Sequence, residues 1–453
     1  MTDVRNNDFT FVETPQDVIP LYQGNGRDAA KQYIGMETEI CVYKKDGKGG
    51  YIPASAKDCA RLIEILKESG FDNPQLEIAS AVEYASPAYR VRDIAALCSD
   101  TRDAYDRFLA AIEKSGLIAS KAALAPFMTV DAAKDNLVDR DRARGLVKGM
   151  GMHKAPEFLK VTLLCTSTQV SLSYKDPADL YDLLATGYAL IPAVYGLFAN
   201  YPATIENKVS PIDFNPRAAF YSAFGKDGGI PDSLLQAKDG DDFVRRHVSH
   251  VFGTEMLFYY ERTGDIIWPE KPVRFEELKA IGLNTRSNYD LAESFVYTDI
   301  KVCNIRDENG IPTGKRIEVR SIDAGETGVV SGAAFIHALL RDEKSNAAVK
   351  GLLQNYGVAP GIDGWQEKLQ EARTAVGKHQ GRYLDIPFGH GTLKEFCRDL
   401  GFILQLHVQR KPELKTALQP IIQICKSGVT EAEIHAKQAH MLNTKAANLP
   451  NCS

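Results

Sequence analysis

Alternating apolar and polar side chains mark a first strand near the start of the chain. In residues 33–43, YIGMETEICVY, Glu37 and Glu39 fall on one face, whereas Met36, Ile40 and Val42 fall on the other. The same habit predicts further strands at residues 75–86, 163–174, 255–261, 295–305 and 315–322.

Helical periodicity fills much of the chain between and after these strands. It predicts helices over residues 56–70, 91–114 and 176–191, and it leaves only helices from about residue 329 onward. The segment DENG, residues 307–310, predicts a hairpin between two strands. Strands separated by long insertions favour an α+β class with a largely antiparallel sheet. We therefore expect a core over residues 1–328 and a helical region, packed on that core, over residues 329–453.

One apolar stretch requires a membrane check. Residues 183–199, LLATGYALIPAVYGLFA, carry no charge and are barely long enough to span a bilayer. The stretch follows an acidic segment and contains Pro192. These features predict a buried core helix that is kinked or broken at the proline.

Composition excludes several functional classes. The chain has 453 residues, of which 44% are hydrophobic and 25% charged, and its formal net charge is −5. This balance is typical of a globular protein and supplies no general attraction to nucleic acid or to an anionic membrane. The polar, acidic N-terminal segment has no apolar core, so we expect a cytoplasmic location. The eight cysteines show no CxxC or zinc spacing and are predicted to be reduced packing residues.

Four of the predicted strands share one property: an apolar face and a face of polar or charged groups. An isolated Glu-x-Glu would suit a solvated sheet face, but here the pattern of one apolar and one polar face occurs in four strands. The polar faces carry Glu37 and Glu39, then Glu77, Ala79, Ala81 and Glu83, then Ser167, Gln169, Ser171 and Ser173, and finally Arg316, Glu318 and Arg320.

If these strands pair in one sheet, five glutamates and two arginines line a single surface. Hard oxygen ligands in that number suit Mg²⁺, which usually keeps phosphate oxygens in its shell. The nine histidines show no ligand spacing on these strands, so softer metals are disfavoured. Because the sequence has no GxxxxGK[ST], it predicts nucleotide-dependent phosphoryl chemistry without a P-loop.

A set of short motifs, in this order, resembles a known family. They are G-x-E-x-E on the first strand, the strand end EYASP, the strand CTSTQVSL, the segment LFANYP, the late strand RIEVRSID and the segment KSGVTEAE at residues 426–433. Together they resemble the glutamate–cysteine ligase and carboxylate–amine ligase family, and the resemblance runs from about Thr14 to about Glu433. It implies a glutamine-synthetase-like fold whose sheet lines the active-site cavity.

The resemblance also implies roles for individual residues. The magnesium ions of MgATP, two or three in number, would be held by Glu37, Glu39, Glu77, Glu83 and Glu318. Arg320 would hold the γ-phosphoryl group during its transfer, and Gln169 would face the metal and nucleotide. The substrate-binding candidates are Arg217, with Lys208 behind it, together with Arg316 and Met256.

Structural alternatives stay open for several of these residues. Gln169 would otherwise be a buried amide satisfied within the sheet, and Arg316 or Arg320 would pair with neighbouring glutamates. Met256 would otherwise be a core methionine. The region after LFANYP also departs from the plant-type pattern, because Phe220, Tyr221 and Phe224 stand where that pattern has a second arginine and a tryptophan.

The resemblance implies a leading hypothesis for the function and leaves alternative hypotheses open. The leading hypothesis is an ATP-dependent ligase that joins the γ-carboxylate of glutamate to the amine of cysteine through an acyl phosphate, the first step towards glutathione. A second hypothesis keeps this mechanism with another amino acid or amine. More distant hypotheses are a phosphotransferase and a non-catalytic relative that binds nucleotide or amino acid. The expected partners are small-molecule substrates, and the oligomeric state is not readable from the sequence.

Overall fold

The structure is a computed structural model of the chain. It describes residues 8–437 apart from residues 27, 29–30, 49, 139–140, 154–158, 160–161, 203, 207, 210–214, 225–226, 308–309 and 379–382.

A nine-stranded sheet, antiparallel throughout, forms the centre of the fold. Its strands are β1 (Tyr33–Lys45), β2 (Tyr51–Pro53), β3 (Gln75–Leu76), β4 (Ala81–Ala85), β5 (Tyr89–Arg90), β6 (Ile118–Ala119), β7 (Ser167–Leu172), β16 (Ile300–Arg306) and β17 (Pro312–Asp323). The main path runs β16-β17-β7-β1-β4-β3, and β2, β5 and β6 pair with other parts of β1. Strands distant in sequence therefore lie side by side.

Among the residues that the structure describes, five short two-stranded pairs complete the β structure. They involve β8 (Thr204–Ile205), β9 (Lys208–Val209), β10 (Gly228–Gly229), β11 (Glu255–Met256), β12 (Tyr259–Tyr260), β13 (Ile266–Ile267), β14 (Val273–Arg274), β15 (Tyr297–Thr298), β18 (Pro387–Phe388) and β19 (Gly391–Thr392).

Helices surround the sheet. The α-helices are α1 (Ala56–Glu68), α2 (Ile94–Lys114), α3 (Val130–Asp135), α4 (Asp141–His153), α5 (Pro177–Leu197), α6 (Pro216–Ala223), α7 (Asp232–Leu235), α8 (Gly240–Phe252), α9 (Arg286–Ser294), α10 (Glu326–Leu340), α11 (Glu343–Tyr356), α12 (Trp365–Lys378), α13 (Leu393–Arg410) and α14 (Lys415–Ser427). Short 3₁₀ turns include Pro15–Asp17 and Ile19–Tyr22.

The apolar face of the sheet packs against two central helices. Helix α5 contacts β16 and β17, and α10 contacts β1 and β7. The Tyr188 hydroxyl of α5 donates to the Ile300 carbonyl at 2.6 Å, and a side chain at Gly328 of α10 would collide with the Asp323 carbonyl. Close approach on one face leaves the opposite face, with its polar side chains, available for a site.

Helix α5 contains the apolar stretch that the sequence brought into question. By length and composition it is the one described helix that could cross a membrane, yet 89% of its apolar window is buried inside the protein. The prediction of a buried helix is confirmed, and the helix continues through Pro192 without a break. Its apolar surface is covered by neighbouring elements of the same chain.

Most predicted elements are present, with corrections to the extent of several. Residues 255–261 contain two short strands, and residues 295–305 contain the short β15 and most of β16. The region after residue 329 contains the small β18–β19 pair among its helices, where only helices were expected. The antiparallel pairing of β16 with β17 confirms the hairpin around residues 307–310. Helix α10 begins at Glu326, just before the predicted boundary at residue 328. That division of the chain stays a prediction.

Candidate active site

A cavity of about 440 Å³ lies on the polar face of the central sheet. Side chains from β1, β4, β7, β16 and β17 form one wall, and residues from α6, α9 and the segment 162–166 contribute to the others. The lining residues include all five glutamates and both arginines that the sequence placed on polar strand faces. The predicted convergence of these side chains is therefore present.

Glu37 and Glu39 reach this wall because alternation along β1 buries Met36, Thr38 and Ile40 on the other side. In the register of the sheet, Glu37 lies opposite Gln169 and Glu39 lies opposite Glu83. Each cross-strand pair has its β-carbons about 5 Å apart, so the groups share one small region of the cavity.

Three donors from β7 hold the Glu39 carboxylate. The Ser167 amide donates to Oε2 at 2.7 Å, the Ser167 hydroxyl to the same oxygen at 3.1 Å, and Gln169 Nε2 to Oε1 at 2.8 Å. The side chain of Gln169 is thus satisfied within the sheet, as its structural alternative proposed, while it also fixes a cavity carboxylate.

A hairpin that the sequence did not predict places Glu77 in the cavity wall. Residues 75–86 are not one strand: β3 and β4 form a tight hairpin, in which Gln75 lies opposite Glu83 and the Glu77 amide donates to the Ala81 carbonyl. Ser80 lies in the turn with a φ of 47°, a left-handed conformation that is uncommon for a residue other than glycine. The turn folds Glu77 back beside Glu83 instead of placing it further along the same strand.

Glu39, Glu77 and Glu83 therefore form an acidic cluster, with one carboxylate oxygen from each within 4.8 Å of the others. Burial, with the nearby charge of Glu77, raises the pKa of Glu39 to about 7 and raises the pKa of Glu83 well above its ordinary value. Burial, with the charge of Glu318, also raises the pKa of Glu37. Carboxylate oxygens that repel one another in this way suit a hard divalent cation, which would remove the repulsion.

On β17, one glutamate lies between two arginines. Glu318 accepts from Arg316 Nη2 at 2.7 Å, and Arg320 Nε lies 3.4 Å from the other carboxylate oxygen. Arg316 Nη2 also lies 3.5 Å from Glu37, so the ion pairing that the sequence left as an alternative is present for both arginines. Although burial opposes its ionisation, these cations hold the pKa of Glu318 below its ordinary value.

A bulge in β17 extends the polar face. Val319 lies opposite Val170, but Ile322 lies opposite Thr168, so one extra residue is inserted between them. Asp323 consequently shares the face of Arg320, and it receives Arg217 Nε at 3.4 Å. Arg217 Nη2 donates to the Thr166 carbonyl at 2.5 Å.

The structure therefore places Arg217 in the cavity wall, but two of its guanidinium nitrogens already bind protein acceptors. A bidentate contact between Arg217 and a substrate carboxylate would therefore use Nη1 with the second N–H of Nη2, or displace one of these acceptors.

Met256, a further candidate, does not line the cavity in the described structure, and the position of a second, Lys208, is given only by its backbone. Met256 is fully buried in β11 opposite Val273 and is absent from the described cavity lining, which agrees with its alternative as a core methionine. Lys208 lies in β9 opposite Ile205, and its side chain falls outside the described part of the structure.

The cavity also contains residues that the strand patterns did not single out. Lys301 extends from β16, Tyr221 from α6 and Tyr297 from β15. Phe224 stacks on Tyr297 with a centroid distance of 4.1 Å. The sequence marked Tyr221 and Phe224 only as departures from a pattern, and Lys301 lies in a strand whose polar face carries no repeated acids.

Comparison with known proteins shows which family and which solved structures the chain is similar to. The profile of glutamate-cysteine ligase family 2 (GCS2) matches residues 33–444. No curated protein matches the chain. Among solved structures, a glutamate–cysteine ligase from Francisella tularensis in complex with AMP is similar at a TM-score of 0.51 and 11% identity, covering 93% of this chain and 85% of that one.

Two other structures have lower similarity. Glutamine synthetase from Plasmodium falciparum has a TM-score of 0.34 at 10% identity, covering 91% of this chain and 74% of that one. The ligase PafA, solved in complex with the prokaryotic ubiquitin-like protein Pup, has a TM-score of 0.38 at 10% identity, covering 92% and 70%. The chain belongs to glutamate-cysteine ligase family 2, has a glutamine-synthetase-like fold and is an ATP-dependent, amide-forming ligase.

Proposed function

We propose that the protein joins the γ-carboxylate of glutamate to the amine of cysteine. A γ-carboxylate oxygen attacks the γ-phosphorus of ATP, ADP leaves and an acyl phosphate forms. The amine nitrogen then attacks the acyl carbon, phosphate leaves and the nitrogen loses a proton. The observation that carries the proposal is the gathering of five glutamates and two arginines, from three strands and the β3–β4 turn, on one cavity wall.

The metal ions of MgATP would be held by carboxylates alone. The acidic cluster of Glu39, Glu77 and Glu83 provides three oxygens within 4.8 Å of one another, and Glu37 and Glu318 line the same wall. This donor set matches the preference of Mg²⁺ for oxygen ligands. When bound, Mg²⁺ would neutralise phosphate charge and orient the triphosphate.

Arg320 and Arg316 provide positive charge where the phosphoryl group is transferred. Their contacts with Glu318 fix the guanidinium groups before substrate binds, so little reorganisation is needed as charge develops on the phosphoryl oxygens. Gln169 fixes Glu39 in turn. Catalysis on this proposal depends on positioning and fixed charge, with no covalent intermediate on the protein.

The identity of the amine is the second question. Tyr221 and Tyr297 line the cavity, with Phe224 stacked behind Tyr297, in a region where the plant-type pattern has an arginine and a tryptophan. This aromatic wall favours, as the second candidate, a ligase of the same mechanism that uses a different amine. Either enzyme would act on small molecules, and we propose the cytoplasm as its location.

ADP release with L-glutamate, measured against a panel of amines, tests the proposal. Cysteine-dependent turnover with an amide product supports the leading function, and turnover with another amine alone supports the second. A phosphorylated acceptor without amide contradicts both. Absence of turnover with every acid and amine, while an ATP analogue still binds, would also overturn the proposal in favour of a binding protein.

A further inference from the structure

The segment LFANYP, residues 197–202, contacts the partner of Arg217, although the proposed function gives this segment no role. The buried Asn200 donates its main-chain N–H to Asp323 Oδ2 at 3.1 Å, and the Tyr201 hydroxyl donates to Asp323 Oδ1 at 3.1 Å. Arg217 Nε lies 3.4 Å from the same Oδ1. Two donors of LFANYP therefore hold the carboxylate that binds the Arg217 guanidinium.

Asn200 is also connected to the second acceptor of Arg217, the Thr166 carbonyl. The Asn200 carbonyl accepts from the Ala123 amide at 2.9 Å, and the Ala123 carbonyl accepts from the Thr166 amide at 2.8 Å. Asn200 Nδ2 donates to the Ala324 carbonyl at 2.8 Å, and the Ala324 amide donates to the Thr166 carbonyl at 3.3 Å. Hydrogen bonds thus tie both protein acceptors of the guanidinium to one asparagine.

The segment KSGVTEAE, residues 426–433, packs against LFANYP. The Ala432 amide donates to the Ala199 carbonyl at 3.0 Å, and the Glu431 carboxylate accepts from the Thr327 hydroxyl. At Gly325 a β-carbon would lie only 2.1 Å from Asn200 Nδ2, so the backbone approaches Asn200 too closely for any side chain. Two motifs that are far apart in the sequence therefore meet behind Asp323.

The contacts of Arg217 leave part of its guanidinium for a ligand. A guanidinium has five N–H groups, and in the described part of the chain the hydrogen bonds of Arg217 use Nε and one N–H of Nη2. Both N–H groups of Nη1 and the second one of Nη2 remain. Because Arg217 lines the cavity, a carboxylate bound there is a suitable acceptor for them.

We propose that Asp323 positions Arg217 to bind a carboxylate of the acid substrate, an inference that rests on the proposed function. Rotation of the guanidinium would change which N–H groups reach the cavity, and the contacts with Asp323 and Thr166 oppose that rotation. A clamp that is oriented in advance loses less conformational freedom when the substrate binds. LFANYP and KSGVTEAE would support this orientation from behind.

Calorimetric titration of L-glutamate, with magnesium and a non-hydrolysable ATP analogue present, tests this role. We expect Asp323→Asn, which keeps the size of the side chain, to weaken glutamate binding about 10- to 100-fold, because the guanidinium loses its charged partner. The affinity for the ATP analogue should change less than about threefold.

A double-mutant cycle separates positioning from a purely structural role. Arg217→Met should itself lower kcat/KM for glutamate at least about 10-fold. In the Arg217→Met background, Asp323→Asn should change kcat/KM less than about threefold, because its effect passes through Arg217. The ratio kcat/KM can be measured even where glutamate binds too weakly for calorimetry.

Asp179→Asn is the matched control. Asp179 pairs with Arg341, which likewise donates to a main-chain carbonyl, that of Ser173, and neither ion-pair residue belongs to the described cavity lining. Breaking this pair should lower the melting temperature and leave glutamate affinity unchanged.

Three results would overturn the inference. Unchanged glutamate affinity in a folded Asp323→Asn protein would show that the ion pair only holds α6 against the sheet. An equal loss of kcat/KM with and without Arg217 would show that Asp323 does not act through it. Unchanged kcat/KM in Arg217→Met would remove Arg217 from the substrate site.

Tyr201→Phe tests the inference even if a charge-removing variant does not fold. It deletes one donor to the Asp323 carboxylate and leaves both charges in place. We expect glutamate binding to weaken about two- to fivefold, because one neutral hydrogen bond is lost. Unchanged affinity would also overturn the inference.

Failure of the proposed function gives a different pattern. Cysteine-dependent turnover together with normal glutamate affinity in Asp323→Asn would overturn the inference and leave the proposed function intact. If the parent protein binds the ATP analogue but not glutamate, the same variants are tested with the carboxylic acid that supports ADP release. Weaker binding of that acid by Asp323→Asn would support the inference, and full retention would overturn it. A parent protein that binds no carboxylic acid contradicts both proposals.

Discussion

Replacing Glu83 by glutamine should stabilise the metal-free protein while it disables the site. Glu83 is buried, faces Glu39 across the β1–β4 pair and belongs to the acidic cluster. Glutamine keeps the size of the side chain and removes its charge. If the cluster exists to hold a cation, its carboxylates oppose folding until that cation binds.

The cluster geometry sets the size of the effect. Oxygens within 4.8 Å repel by at least about 3.5 kcal/mol per ionised pair at an effective dielectric near 20. A shared proton relieves part of this repulsion, because burial and Glu77 raise the pKa of Glu39 to about 7. We therefore expect a gain of about 1–2 kcal/mol at pH 8, or about 1–2 °C in melting temperature for a chain of this size.

The gain should depend on pH in a defined direction. A glutamate whose folded-state pKa is raised stabilises the fold below its unfolded pKa, and that stabilisation is lost as pH rises through the folded value. For Glu39 this window runs from the ordinary value of 4.5 to about 7. Glu83→Gln should therefore exceed the parent protein in stability more at pH 8 than at pH 5.

Thermal unfolding in EDTA, in MgCl₂ and in magnesium with an ATP analogue measures the stability of the metal-free protein and the stabilisation by ligands. The parent protein should gain stability from the ligands, and Glu83→Gln should lose most of that gain. Glu64→Gln, on the exposed face of α1, serves as the control. A Glu83→Gln protein that is less stable in EDTA and is still stabilised normally by magnesium would refute the reasoning.

Three further predictions concern the same wall. Glu318→Gln should lower turnover at least about 10²-fold in a protein that circular dichroism shows to be folded, because Arg316 and Arg320 lose the carboxylate that fixes them. Its melting temperature should fall, since the charge of Glu318 stabilises the fold. Near-normal turnover at saturating magnesium would remove Glu318 from the site. Ser80→Gly should be tolerated, whereas Ser80→Val should cost about 1–3 kcal/mol of stability and weaken magnesium binding, since the φ of residue 80 is 47°. Denaturant unfolding compares the stability of the two variants, and equal stability would contradict the prediction. The apparent magnesium affinity should rise with pH up to about 7 and then level off, because the pKa of Glu39 is raised to about 7 and protons are released on binding. Calorimetry in buffers of different ionisation enthalpy measures the affinity and the released protons. A pH-independent affinity would contradict this prediction.

Alternation within single strands made much of the wall predictable. In β1, β7 and β17 the period of two assigns each side chain to a face, and one face of each is apolar enough to identify the core. Glu37, Glu39, Gln169 and Glu318 were placed correctly on this basis. The order of strands in the sheet came from the structure alone, because pairing between distant segments leaves no local signal.

Features that break the alternation were not predictable. The β3–β4 turn at Ser80 contains no glycine, asparagine or proline at the left-handed position, so residues 75–86 resembled one continuous strand. The β17 bulge that places Asp323 beside Arg217 also has no sequence marker. The sequence did not single out Lys301 as a cavity residue, because only the register shows that it lies opposite Glu318.

Anomalous diffraction from crystals grown with Mn²⁺ and a non-hydrolysable ATP analogue tests the central claim most directly. The claim is that carboxylates from β1, β4 and the β3–β4 turn bind divalent cations that hold a triphosphate. The account predicts anomalous density among Glu39, Glu77 and Glu83, with phosphate oxygens directed towards Arg320. Metal density elsewhere in the protein, or a bound nucleotide whose phosphates do not approach these carboxylates, would contradict it.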